Sequence, residues 1–449
     1  MSIRSLVVLV IVAVSIAAAA AYALGVGRGG SSATTTTTTT KAATTTTQVV
    51  EGAIYLVYRD RPPSAKAVEG VMKLFEESVY KGTMPFTIDV VHVSKWRWGN
   101  VSVLVYPLIV LKVPRLTEDL SNVVKPLGGD TYLLKQVLIP EIARRVGLSV
   151  EYTHTAEAYI VNGTTPYTSI PKLKREVVKL MEDLLSATIL ANITRVEFLS
   201  PSEVSGVGTY PTILFKSGFD LSKEVPYLER AGEYLVFKDV YASNIVTALS
   251  SFAGRELKLE TRVRPSPSGP HIGSSNASVE VYTYTDLDCP YCARFFTKVL
   301  PSLIEDYVGR GEVAVYFKPL VVHEESMEGL ALLTCYYLST NDSMGYYEAL
   351  KELYEKALKE GKPPTAEDVR EVLSSVGRPV KGLDECVDVA ATALKDESVE
   401  AVRRGIGGTP GFIIWSKGRG LGIVAVGLMS YDEFKGLIEW ALGPRGGAA

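Results

Sequence analysis

Residues 278–296, SVEVYTYTDLDCPYCARFF, change the period of their apolar pattern within a few positions. Val279 and Val281 alternate with polar neighbours, and after the TDLD turn the apolar residues Phe295, Phe296, Val299, Leu300, Leu303 and Ile304 recur at helical spacing. Such a switch demands a strand, a short turn and a helix that packs back on the strand's sheet. Cys289 and Cys292 then fall at the helix start, where Pro290 fits a first turn that uses no N–H.

This placement gives the pair its chemistry. Unpaired N–H groups and the positive end of the helix dipole favour a thiolate at Cys289, and the spacing brings Cys292 within bridging reach. Cys289 reads as the outward-facing, more acidic attacking thiol and Cys292 as the resolving thiol. Asp286 and Asp288 oppose the thiolate if they stand close to it in space. A tetrahedral metal site needs two further ligands. The four histidines, His92, His154, His271 and His323, and the distant Cys335 and Cys386 make no second close pair, so no metal is expected. A purely structural Cys289–Cys292 bridge is the other reading of the spacing.

Downstream, EVAVYF (312–317) reads as a strand, residues 411–416 and 422–426 as two more, and Ser430 with Glu433 as a capping box for a last helix. TDLDCPYC after a strand, FKPLVVH at 317–323, a long helical stretch and IGGTPGFII at 406–414 together resemble the DsbA-type branch of the thioredoxin superfamily over residues 278–443. The resemblance implies a thioredoxin fold with a helical insertion at about 325–405 and thiol–disulfide chemistry outside the cytoplasm. It makes Cys289 the nucleophile, Cys292 the resolving thiol, and Thr409 with a cis Pro410 the loop facing them. It also implies exported proteins with cysteine thiols as substrates, no cofactor within the chain, and a DsbB-like or VKOR-like membrane partner that accepts the electrons. The dipeptide Pro290-Tyr291 is that of glutaredoxins and differs from the Pro-His of strongly oxidising DsbA proteins. Introduction of disulfides is the leading expectation. A reductase or isomerase uses the same residues in the opposite sense, and an exported protein-binding scaffold with a redox-silent last domain is a third reading.

The preceding half alternates strand and helix signals twice. Residues 53–58, 86–93 and 106–112 read as strands around helices at 66–78 and 136–146; residues 156–162, 193–199, 209–218 and 233–240 read as strands around helices at 172–185 and 242–252. The order suggests an α/β fold with parallel sheets shielded by helices. TYPTILFKSG at 209–218 is similar to a thioredoxin's proline-led strand, and this resemblance implies two thioredoxin-like domains without cysteines at 51–152 and 153–256; a Pro/Gly/Ser-rich linker at 257–277 and the DsbA-like domain at 278–445 follow. Pro107 and Pro211 each open a strand, where a cis bond is an option.

Residues Leu6 to Leu24 are almost unbroken apolar positions after Arg4, long enough as a helix to cross most of a bilayer. Residues 1–27 read as an anchor held by 5–27, or as a signal peptide cleaved near Ala21-Tyr22-Ala23, in which case the chain is secreted. Either reading exports the remainder. The Thr-rich stretch within 28–50 reads as a linker that spaces the folded part from the membrane. A net charge of −3 supplies no strong field for nucleic acid. In an exported chain, Cys335 and Cys386 form a structural bridge, remain two buried thiols, or act as a transient relay to the active pair. Lys318 reads as a solvated lysine, and His323 as a pH-responsive or helix-capping group.

Overall fold

The computed structural model describes residues 52–79, 86–96, 101–116, 118–376 and 386–444; the expected anchor and tether lie outside them. Among the described residues no helix is long and apolar enough to cross a membrane. The chain divides into two compact units. One takes its residues from Met1–Ile160, Leu173–Glu197 and Ile213–Phe237, the other from Val161–Lys172, Phe198–Thr212 and Lys238–Ala449.

The first unit opens with β1 (Gly52–Tyr58), α1 (Ala65–Lys73) and β2 (Phe86–His92). Ser64 caps α1 by accepting from the Ala67 N–H. The short β3 (Val105–Tyr106) leads into β4 (Leu108–Lys112), and β5 (Val124–Gly128), β6 (Thr131–Leu134) and α2 (Ile139–Val146) complete the set before β7 (Glu151–Tyr152). The sheet order is β2-β1-β4-β6-β5. Only β1 and β2 are parallel; β4, β6 and β5 run antiparallel to their neighbours. The wholly parallel sheet expected from the alternation is therefore a mixed one. The proline-led strand returns against β1, and a hairpin turning at Gly129-Asp130, with Gly129 at positive φ, adds two strands beyond it.

The second sheet repeats the scheme. Its strands are β8 (Thr155–Val161), β9 (Asn192–Leu199), β11 (Thr212–Lys216), β12 (Leu228–Ala231) and β13 (Tyr234–Phe237), with β10 (Thr209–Tyr210) just ahead of β11. The order β9-β8-β11-β13-β12 matches that of the first sheet element for element. The helix between β8 and β9 is α3 (Arg175–Ile189), and α4 (Ala242–Ala253) follows β13.

A seven-stranded sheet organises the second unit. It contains β14 (Leu259–Thr261), β15 (His271–Ile272), β16 (Val279–Thr285), β17 (Val313–Pro319), β18 (Gly411–Ser416) and β19 (Leu421–Val426), in the order β10-β14-β19-β18-β16-β17-β15. The inner four strands, β17-β16-β18-β19, again show one parallel and two antiparallel pairings. Residues 257–277, expected as a linker, supply two strands of this sheet. Pro- and Gly-rich composition marked the turns and hid the short paired segments between them.

Strand periodicity sends Val279, Val281, Val315, Phe317, Phe412 and Ile414 to one face. There they pack on Phe295, Phe296, Leu300 and Leu303 of the helical run that begins with α5 (Pro290–Arg294), and on Phe434 of α10 (Tyr431–Leu442), whose capping box is Ser430–Glu433. Between β17 and β18 stand α6 (Met327–Thr340), α7 (Ser343–Glu360), α8 (Ala366–Val376) and α9 (Val387–Arg403). A disulfide joins Cys335 of α6 to Cys386 at the start of α9. The other sheet face is polar and equally buried: Glu280 accepts two bonds from Arg264, at 2.8 and 2.6 Å, and one from Tyr282, at 2.8 Å. A carboxylate so deep requires such partners.

Candidate functional site

Cys289 is the N-cap of α5, directly beyond the carboxyl end of β16, and Pro290 occupies the first turn. Thr409 and Pro410 enter from the other side, immediately ahead of β18, joined by a cis peptide bond as are Tyr106-Pro107 and Tyr210-Pro211. The pairing of β16 with β18, Tyr284 opposite Gly411, brings the two loops together. The Cys289 thiol donates to the Thr409 carbonyl oxygen at 3.3 Å. Cys289 and Cys292 are unbridged thiols.

Burial separates the two sulfurs less than expected and acidity separates them more. Cys289 does not face outward: it is 4% exposed, against 0% for Cys292, because the Thr409-Pro410 loop covers it. The outward residue is Tyr291, at 52%. A hydrogen bond from Cys292 pulls the Cys289 thiol down to about 6, helped by the Thr409 side chain and the N–H groups of Cys292 and Tyr291 and opposed by burial. Burial pushes the Cys292 thiol well up, and its bond to Cys289 and the charge there add to the rise.

The Asp286 carboxylate is engaged by backbone N–H groups: it accepts from those of Asp288 at 2.9 Å, Val322 at 2.6 Å and His323 at 2.9 Å, and the His323 ring nitrogen lies 3.4 Å away. It clamps the loop after β17 to the cysteine turn. The Asp-x-Asp spacing is the signal for this turn. The neighbouring Asp288 carboxyl is raised by burial and then by the Asp286 charge. Tyr354 of α7, which sequence inspection did not single out, donates to the Asp286 carbonyl at 3.0 Å and packs its ring, tilted, against Phe296, tying the insertion to the cysteine turn.

Lys318 is not solvated. It is 0% exposed and pairs at 2.8 Å with Glu397 of α9, on the polar face of the sheet and opposite Tyr284 in register. A strand that is central on both faces buries whatever side chain it carries, and the insertion supplies the counter-charge. Burial raises the Glu397 carboxyl against the pull of Lys318. His323 precedes a short 3-10 turn at Glu324–Ser326. Among the described residues no three His, Cys, Asp or Glu side chains converge to hold a metal ion.

Residues 265–439 match the family model described as Thioredoxin. A probable disulfide bond formation protein D of Bacillus cereus is 29% identical over 99 residues, 22% of this chain and 45% of that protein. The disulfide bond formation protein D of Bacillus subtilis is 28% identical over 94 residues, 21% and 42% of the two chains. Residues 265–439 are a thioredoxin-superfamily segment. The chain spans less than half the length of these curated relatives. Among solved structures, Wolbachia pipientis alpha-DsbA1 is similar at 17% identity and a TM-score of 0.34, over 40% of this chain and 94% of its own. Oxidised BdbD of Bacillus subtilis is similar at 24% identity and a TM-score of 0.32, over 39% and 92%. The matched segment holds Cys289, Cys292, Thr409 and Pro410 together with the helices α6 to α9.

Proposed function

We infer that the chain is an extracytoplasmic thiol–disulfide oxidoreductase that introduces disulfides into exported proteins through Cys289 and Cys292. The observation that carries this reading is the contrast between the two thiols across one turn, Cys289 held near 6 and Cys292 well above the ordinary thiol range. In the oxidised pair, a client thiolate attacks the Cys289 sulfur; the Cys289–Cys292 bond breaks and Cys292 leaves, taking up a proton. A second client thiolate then attacks the client sulfur of the mixed disulfide, and Cys289 departs as the stabilised anion. Two electrons pass to the pair; one client proton ends on Cys292 and the other is released to solvent, because Cys289 stays a thiolate. A low leaving-group pKa drives this last step toward client oxidation.

Residues 5–27 anchor the protein to the cell membrane, or are cleaved to release it, with the Thr-rich linker at 28–50 outside. A DsbB-like or VKOR-like membrane protein reoxidises the pair. The domains are 51–152, 153–256 and 278–445, and the first two, lacking cysteines, bind or position clients. Support for the export reading comes from the apolar Leu6–Leu24 run and from the Cys335–Cys386 bond.

The test is the equilibrium of the purified protein with glutathione, joined to oxidation of a reduced, unfolded client by a stoichiometric amount of oxidised protein. A potential well above the roughly −270 mV of thioredoxin, with client disulfides formed, is the expected result. A potential at or below that value assigns the reductase reading instead. Protease protection of residues 278–445 on the cytoplasmic face of sealed cells would overturn the location.

A further inference from the structure

The edges ahead of the three proline-led strands meet two fates. In the first block β3, just before Pro107, pairs antiparallel with β7, and the Thr153 N–H extends the pairing to the Leu104 carbonyl at 2.9 Å. In the second block β10, just before Pro211, pairs antiparallel with β14, and the Arg262 N–H reaches the Gly208 carbonyl at 3.1 Å. Both partner strands are segments that follow the block's own closing helix, α2 or α4. Gly408 and Thr409, just before Pro410, stand in no strand ladder. Two edges are filled by the chain itself; among the described residues no strand pairs with the edge beside Cys289, which is open to a strand from outside.

The open edge leads into a cleft. Residues 405–409 run toward Cys289, and a cleft of about 220 Å³ lies at their far end, lined by Gly405 and Val426, by Val246 and Thr247 of α4, and by Leu257 and Lys258. The Ser243 hydroxyl donates to the Gly405 carbonyl, and a Cβ at Gly405 would meet Leu259 at 2.5 Å, so α4 and β14 seat this end of the loop closely. Val426 is 46% exposed and lies within van der Waals contact of a Cβ built at Gly408, while the Gly427 N–H donates to the Pro410 carbonyl at 2.8 Å. The cleft thus continues from the loop that covers the reactive sulfur.

We propose that this cleft, walled on one side by α4 of the cysteine-free second block, receives a large apolar side chain of an extended client strand that pairs antiparallel with Gly408–Thr409. This rests on the oxidoreductase reading and names what the second block adds to it. The direction follows from the two internal pairings, both antiparallel. A client strand with its cysteine at Cys289 runs from Thr409 back toward Gly405. At no more than about 3.6 Å per residue, the cleft meets client positions two to four residues beyond the cysteine on its carboxyl side. Main-chain pairing supplies affinity and the alternate side chain supplies selectivity.

The test uses the full chain carrying Cys292→Ser and short cysteine peptides held as mixed disulfides with thionitrobenzoate. The Cys289 thiolate attacks the peptide sulfur, the Cys289–peptide disulfide forms, and the coloured arylthiolate leaves and is followed by absorbance. A peptide with leucine three residues after its cysteine should react about tenfold faster than its glycine counterpart, the gain from partly burying one such side chain. Leucine three residues before the cysteine should give no gain. Thr247→Trp, which fills the mouth of the cleft from an exposed position, should bring the leucine-to-glycine ratio to about one, and Thr247→Ser should keep it. The ratio is read within each protein, so a loss of folded material cancels. A ratio of one in the parent, a preference only for leucine before the cysteine, or a ratio that survives Thr247→Trp overturns the cleft while leaving the redox reading standing. Failure of every peptide to attach to Cys289 overturns that reading itself.

Discussion

The Cys289 sulfur lies 3.3 Å from the carbonyl oxygen of Thr409, a residue 120 positions away in the chain. The same loop contributes the Thr409 side chain to the stabilisation of the Cys289 thiolate. Thr409→Val keeps shape and backbone and removes the hydroxyl. A hydrogen bond to a charged group is worth about 1.5 kcal/mol, so the midpoint for alkylation of Cys289, about 6 in the parent, should rise by roughly one unit. An unchanged midpoint would show that the backbone N–H groups and Cys292 suffice.

The acidity of Cys289 makes stability of the reduced protein depend on pH. Its thiol titrates at about 6 when folded and near 8.5 when unfolded, so the folded pKa is depressed. The contribution is complete above about 8.5 and is lost as pH falls through 6. Urea denaturation of the reduced protein should show stability rising across this window by on the order of 2 kcal/mol after allowance for solvent screening. The Cys289→Ser variant should lack this rise; an equal slope in both proteins sinks the assignment.

Lys318 and Glu397 form a buried ion pair. Removing one partner leaves the other charge uncompensated, so Lys318→Met should cost about 3–5 kcal/mol in chemical denaturation. Lys318→Met combined with Glu397→Leu should recover much of that loss. A loss below about 1 kcal/mol in the single variant would mean that Glu397 simply takes up a proton.

Replacing Cys335 and Cys386 together with alanine removes the tie between α6 and α9. The expected cost is about 2–4 kcal/mol. The Cys289 alkylation midpoint should stay in place, since neither residue contributes to it. A shifted midpoint would give the bridge a part in tuning the active pair.

Much of the site was legible locally. The change of period at residues 285–289 placed a cysteine at a helix start, Pro290 and Ser430–Glu433 marked helix ends, and three prolines marked the strands that follow them. Strand order repeated in each block wherever the apolar pattern was strong. The hairpin of β5 and β6 and the short strands β7, β12, β14 and β15 went unread, because two to five residues hold too few alternations to show a period.

The sequence by itself determined the longer strands and helices, their order and the place of the two thiols, because period and capping act over neighbouring residues. Only the tertiary structure decided what those side chains meet. It set Thr409 over Cys289, turned the Asp286 carboxylate to the N–H groups of residues 322 and 323, and gave the buried Lys318 its partner in Glu397. Each of these depends on how distant strands and inserted helices pack. A lysine on a central strand reads like any other lysine until a helix 79 residues later covers it, because burial belongs to the assembled sheet and no stretch of neighbours encodes it.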